Sequence, residues 1–529
     1  MTGNHQPRFG VGAVIATTVF ALVSVPAAVG APAHPHHPSP GAAGIGDRLY
    51  PTLGNGGYDA KHYDLRLRYA TSAPMQGIDG TVTMVARSTQ ALSRFDLDFA
   101  GASVGSVQVN GHSASFRRTG EELVITPAHP IRRRQWFVVQ VRHFTAKPTK
   151  PNGDDFATTA FFYTRDGSAT AGQPNQSHYV FPSNDHPRDK ASFSFRFDVP
   201  TGETAIANGL LTSKRRYGSR TIWRYVQRQP MATELTQLAV GRYTVIRRGS
   251  VGRIRVRDVV PTRLVADYRN TLSVERQHLR WMQHRVGAYP FDSYGTIVVY
   301  APLGFALETQ TLSLFDTTWF TSYPRGVWDP VMLHELAHQW FGDSVAPWSW
   351  SDVWLNEGHA SWYELTYADQ KGYLQDDAGD PDLETLMRDV YAAGDRLRAD
   401  FGPVGRPLDS TSVWDVFNPN VYYGGALVLF ALRQQVGDAA FQRIERAWVH
   451  RYAGRSASTV DFIRLASQVS GQQLHRFLTR WVYGTTTPPM PGHPDWTVDP
   501  VTPGSLAALS HATQSLGPST MGLRPFRLR

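Results

Sequence analysis

The chain has 529 residues, 41% of them hydrophobic, with a net charge of +9 and no cysteine. That length exceeds one small domain and leads us to expect two or three folded units; lacking thiols, the chain has no disulfide, and any metal site must use His, Asp and Glu. The positive charge is scattered, with Arg132-Arg133-Arg134 and Lys214-Arg215-Arg216 the only triplets, which reads as a basic solvated surface and argues against a nucleic-acid binder.

In chain order, Arg8 precedes an uncharged stretch from Val11 to Gly30, and small residues follow around Ala27, Ala28, Ala31 and Ala33. Cation, apolar run and small-residue zone together predict a secretory signal peptide over 1–33, and hence a secreted protein. Residues 34–48, with His34, His36 and His37 among Pro and Gly, read as a flexible lead-in. No later run is long and apolar enough to span a bilayer, so the mature chain is expected to have no stable membrane insertion.

From 49 to 245 the pattern alternates with period two, as in Tyr63-Asp64-Leu65-Arg66-Leu67-Arg68-Tyr69 and Phe193-Ser194-Phe195-Arg196-Phe197. Short alternating runs broken by Gly, Asn and Pro predict an N-terminal antiparallel β domain. Near 260 the period lengthens. Leu264, Tyr268, Leu272, Leu279, Met282 and Val286 form a helical stripe, and Ile297-Val298-Val299-Tyr300 a short buried strand. Further helices are expected at 330–341, 355–369, 425–435, 439–452, 459–469 and 473–483. The fold class is therefore α+β and multidomain, with a mixed, helix-rich second domain over 246–488 and a Pro/Gly-rich tail over 489–529.

The chemistry is concentrated in His334-Glu335-Leu336-Ala337-His338. Asp329 reads as the cap of its helix, Pro330 as the first helical residue and Gly342 as the stop. Histidines at i and i+4 share a helix face and can reach one zinc ion, while Glu335 sits beside them as a general base for water. A third ligand is available in Glu357, separated from His338 by eighteen residues, a length that suits a helix end, a turn and a returning helix. Two His and one Glu leave zinc a fourth position for water, as catalysis requires. One zinc per chain is the expected cofactor. On the returning helix, His359 is expected to point away from the metal. Glu364 is either an orienting partner of a ligand or a solvated helix residue.

The sequence here resembles the aminopeptidase N family, peptidase family M1. His334 to Asp343 reads HELAHQWFGD and Asp352 to Gly358 reads DVWLNEG. Upstream, Phe181-Pro182-Ser183-Asn184-Asp185-His186-Pro187 with Lys190, Ala191 and Phe193 resembles a family segment of the β domain. The resemblance runs over roughly residues 50 to 485 and implies a thermolysin-like catalytic domain acting on peptides with a free N-terminus. It also implies roles by position. Phe305-Ala306-Leu307-Glu308-Thr309 stands where the family has its exopeptidase motif, with Glu308 on the substrate amine and Gly304 and Ala306 alongside; Gln173 supplies a second amine contact. Tyr422, in Tyr422-Tyr423-Gly424-Gly425-Ala426, is implied to bond the tetrahedral intermediate. Phe305, Thr309, His186 and Gly424 depart from the family pattern. The rival readings are an endopeptidase using the same zinc site, and a peptide-binding protein, which has no need of Glu335.

Overall fold

The computed structural model describes residues 37–151, 159–374 and 381–501. Within them an 11-stranded sheet dominates the N-terminal half. Seven of its strands, in order from the middle to one edge, are Ser106–Val109, Trp136–Ala146, Ile78–Ser88, Tyr58–Tyr69, Ala191–Pro200, Arg220–Met231 and Leu210–Tyr217. Tyr58–Tyr69 and Ala191–Pro200 run parallel to each other; the other pairs among these are antiparallel. The alternation seen in the sequence becomes two faces. Tyr63, Leu65, Leu67, Phe193, Phe195 and Phe197 are buried in one apolar core, while Arg66, Arg68 and Arg224 point to solvent.

The C-terminal half begins with a five-stranded sheet built on Tyr243–Val251, Ile254–Pro261, Thr296–Val299 and Ser313–Asp316. Around it pack the helices Glu275–Val286, Arg325–Ala337, Trp354–Lys371, Gly425–Val436, Asp438–Arg451, Thr459–Ser470 and His475–Tyr483. A second apolar core, with Trp340, Trp350, Trp354, Trp448 and Trp481 among its largest buried side chains, holds these helices together. The helices Leu383–Ala392 and Gly394–Phe401, absent from the expectation, complete the layer.

Three expected boundaries are corrected. The change of domain does not fall at 245: Tyr243–Val251 pairs along its whole length with Ile254–Pro261, so the strand belongs entirely to the second half. The described part of the lead-in, 37–48, is not a free spacer. Ser39–Pro40 pairs with Leu92–Asp98, and the buried Asp47 carboxylate accepts from the Trp350 amide at 2.8 Å and meets His186 Nε2 at 3.1 Å. A buried carboxylate needs such partners, and they tie residue 47 to both halves of the molecule. The tail likewise starts later than 489: Trp496 stacks on Phe430, with ring centroids 5.8 Å apart, and the Asp499 amide donates to the Ala392 carbonyl. The signal-peptide reading over 1–33 and the tail beyond 501 lie outside the described residues.

Candidate active site

The motif helix is Arg325–Ala337, entered through an extended Pro324, one and a half turns earlier than the sequence suggests. Asp329 does not cap it. Its carboxylate is buried inside the helix, bonded to His278 Nε2 at 2.7 Å and Arg325 Nε at 3.2 Å. Pro330 consequently lies inside the helix, where it removes one amide from the ladder. The end is also earlier than expected: the helix stops at Ala337 with His338 as its cap, and Gly342 takes φ +133° in the turn that follows, a region closed to most side chains.

His334 and His338 meet edge to face, ring centroids 4.7 Å apart and ring planes at 75°, and both Nε2 atoms lie 3.3 Å from Glu357 Oε2. The Nδ1 atoms face away from this point. His334 Nδ1 donates to Glu364 Oε2 at 2.8 Å, and His338 Nδ1 to the Phe341 carbonyl at 3.1 Å. Those bonds fix the tautomers, so two imidazole lone pairs and one carboxylate oxygen converge within 4.8 Å of one another. This donor set fits zinc. Glu364 is thus the orienting partner, and His359 does turn away: it is fully buried, stacks on Phe341 at 4.4 Å and donates from Nδ1 to the Leu355 carbonyl.

Glu335 is 5% exposed, and its Oε2 has no hydrogen-bond partner among the described residues. Burial pushes its carboxyl up to about 8, against the pull of His334 and His338 and with the carboxylates Glu308 and Glu357 adding to the rise. Glu357 goes the other way: burial would raise it, but His338 and His334 hold it down to about 2. Two carboxylates in one pocket are therefore driven apart: burial favours a proton on Glu335, whereas the two imidazoles hold Glu357 as an anion.

Glu308 and Gln173 are 135 positions apart in sequence, yet Gln173 Nε2 donates to Glu308 Oε1 at 2.7 Å in a buried contact. Donor atoms of Glu308, Glu335 and His338 also cluster within 4.8 Å. The residue that sequence reasoning missed here is Gln339. From the turn just after the motif helix its Nε2 donates to the Glu308 carbonyl at 3.1 Å, while its Oε1 accepts from the Thr311 amide and the Tyr289 hydroxyl. It fastens the loop of Glu308 to the end of the motif helix. Its only sequence signal is its position next to His338. Gly304 and Ala306 are placed differently from Glu308. The Gly304 amide is spent on Asp316 Oδ2 at 3.0 Å in a turn with φ +75°, and Ala306 packs partly buried against an apolar cluster with Trp319 and Trp328.

Tyr422 lies in a π-helical turn, Asn420–Gly424, a form that concentrates at functional sites. Its ring stacks on His334 at 5.9 Å and its hydroxyl is within bonding reach of Glu357. Burial and the carboxylates of Glu357, Glu308 and Glu335 hold that hydroxyl well above its ordinary value, so it stays protonated and able to donate. Two glycines bring it there. A Cβ on Gly358 would lie 2.9 Å from the Gly425 backbone, and one on Gly425 would lie 2.7 Å from Gly358 Cα. The helices Trp354–Lys371 and Gly425–Val436 therefore touch backbone to backbone, next to Glu357. At Gly424 a Cβ would meet Asn420 Oδ1 at 2.0 Å, so the Asn420 side chain would have to shift to admit one.

An HExxH helix, a returning helix with the third donor and a β domain closing one side define a two-domain metallopeptidase. The sequence matches the Peptidase M1 N-terminal domain over residues 59–235 and the Peptidase family M1 domain over 275–481. The fold superposes on a zinc metallopeptidase of family M1 from Deinococcus radiodurans with a TM-score of 0.72 and 30% identity, over 85% of this chain and 98% of that one. A glutamate-to-alanine mutant of the Deinococcus enzyme bound to a Tyr-Ser-Ala substrate superposes equally well. The chain belongs to peptidase family M1. Among curated relatives it is 24% identical over 327 residues to Aminopeptidase M1 of Arabidopsis thaliana and 27% identical over 338 residues to Aminopeptidase N of Streptomyces lividans. Those alignments take in 59% and 57% of this chain but only 36% of each relative, so the chain spans little more than a third of their length.

Proposed function

We propose that this protein is a zinc-dependent aminopeptidase that removes residues from the free N-termini of peptides. The observation that carries the reading is the Glu308–Gln173 pair, buried at 2.7 Å and set beside Glu335 and His338. A carboxylate so close to the reacting centre pairs with an ammonium group, and only a peptide's first residue brings one there.

His334, His338 and Glu357 would hold the metal, which when bound supplies a Lewis acid that acidifies water and polarises a carbonyl. Glu335 accepts the proton of the attacking water at its unpartnered Oε2 and passes it to the departing amine nitrogen. The Tyr422 hydroxyl donates to the carbonyl oxygen as charge develops on it, an interaction stronger in the transition state than in the ground state. Glu308, steadied by Gln173 and by Gln339, fixes the amine so that the first peptide bond alone is presented. Gly304 and Ala306 shape the turn that delivers Glu308; direct substrate contact by either rests on the resemblance. Export rests on the sequence of residues 1–33.

The test is Glu335→Gln. The variant should bind one zinc per chain, measured by metal analysis, while turnover of a free peptide falls by about a thousandfold or more. Turnover within about tenfold of the parent would overturn the mechanism.

A further inference from the structure

One face of the large sheet carries a feature that the peptidase reading leaves unused. Strand pairing places Ser106, Arg142, Thr81, Arg66, Arg196, Arg224 and Ser213 in one continuous row across seven strands. Directly paired residues share a face, and this is the face away from the apolar core. Arg66, Arg142 and Arg224 are exposed and Arg196 half-buried, whereas their chain neighbours Leu65, Leu67, Val141, Phe195, Phe197, Trp223 and Tyr225 are buried. Arg66 is held by Asp64 at 2.9 Å; Arg142, Arg196 and Arg224 make no ion pair among the described residues. Arg68, two residues along its strand on the same face, is exposed and stands opposite Asp79 and Asp198; with Asp64 beside Arg66, these carboxylates flank the row, and the face is net basic with the arginines in excess.

Neighbouring guanidinium groups directly opposite one another repel, and Arg66, Arg196 and Arg224 stand on three successive strands. The sheet tolerates this in water, and an anion spanning the row relieves it. From the strand of Arg142 to that of Arg224 is four strand spacings, about 19 Å. The row is linear and only about one residue wide, and sheet twist of roughly 20–25° per strand turns it along a curve. That geometry favours a flexible chain over a flat bilayer. Its members are Arg, Ser and Thr, which suit phosphate oxygens. No aromatic residue stands in the row to stack a base, as single-stranded nucleic acid would want.

We propose that this arginine row is a binding surface for a linear chain of phosphate groups without bases, distinct from the peptidase site and independent of its assignment. The probe is long-chain inorganic polyphosphate, titrated into the full-length protein at two salt concentrations. Binding should weaken steeply with salt. The triple variant Arg66→Gln/Arg196→Gln/Arg224→Gln should lose at least tenfold in affinity while peptidase turnover and melting temperature stay unchanged. The triple Arg→Lys variant should keep most of the affinity. Arg132→Gln/Arg133→Gln, off the row, should bind as the parent does. The proposal is overturned if polyphosphate does not bind, if the off-row variant loses as much as the row variant, or if single-stranded DNA of equal charge or anionic phosphatidylglycerol vesicles bind more tightly than polyphosphate.

Discussion

The smallest scale at which the site can be read is a single hydroxyl. Tyr422 and Tyr423 are adjacent, and sequence spacing alone does not say which faces the metal. The π turn does: Tyr422 stacks on His334 and reaches Glu357. Tyr422→Phe should therefore lower kcat by about ten- to a thousandfold with little change in KM, the sign of an interaction made in the transition state. Tyr423→Phe should leave kcat within about threefold. Steady-state kinetics on one free peptide would separate them, and a larger loss in Tyr423→Phe would reassign the role. His334, Glu335 and His338 were legible in the sequence because zinc chemistry imposes their i, i+4 spacing on any helix. The Glu308–Gln173 pair was legible only through the family resemblance, since no local rule links residues 135 positions apart. Gln339 was not legible, because its three bonds reach separate loops.

At the scale of elements, the site depends on how closely two helices approach. Gly358 follows Glu357 directly and lies against Gly425, close to Tyr422, so one backbone contact positions both the proposed metal ligand and the proposed oxyanion donor. Gly358→Ala should push the helices apart, destabilise the fold by about 1–3 kcal/mol and lower turnover more than that loss alone explains. Chemical denaturation together with kcat would show it. An unchanged kcat in a folded variant would remove this contact from the account. The element-level reading of the sequence succeeded for amphipathic helices such as Asp438–Arg451 and Thr459–Ser470. It failed at the start of the motif helix, where Asp329 and Pro330 look like an entrance. The tertiary partner His278, with Arg325 one turn earlier on the same helix, claims the Asp329 carboxylate instead, and propensity gives way.

At the scale of the whole molecule, the β domain is joined to the rest through buried charge. Lys190 donates to the Asp343 and Ser344 carbonyls just beyond the motif helix, and Asp47 links the lead-in to His186 and Trp350. Composition shows neither link, because buried charges are located by their partners. One such pair sets a pH dependence. His178 lies 2.7 Å from Asp185; burial opposes its charge, but bonds to Asp185 and Glu121 outweigh it and carry the imidazole up to about 10. Raised above its unfolded value of about 6.5, it contributes stability that is fully present below that pH and is lost as pH rises through about 10. Melting temperature measured from pH 7 to 11 should therefore fall more steeply for the parent than for His178→Gln, and equal slopes would contradict the assignment.

The most direct test of the central claim is one peptide in two forms, with free and acetylated N-termini, given to the zinc-loaded protein and to Glu308→Ala, with products identified by mass. The account predicts stepwise loss of single residues from the free form alone, stopped by a chelator and restored by zinc, and greatly weakened in Glu308→Ala. Internal cleavage of both forms, unaffected by Glu308→Ala, would contradict it and make the same zinc centre that of an endopeptidase.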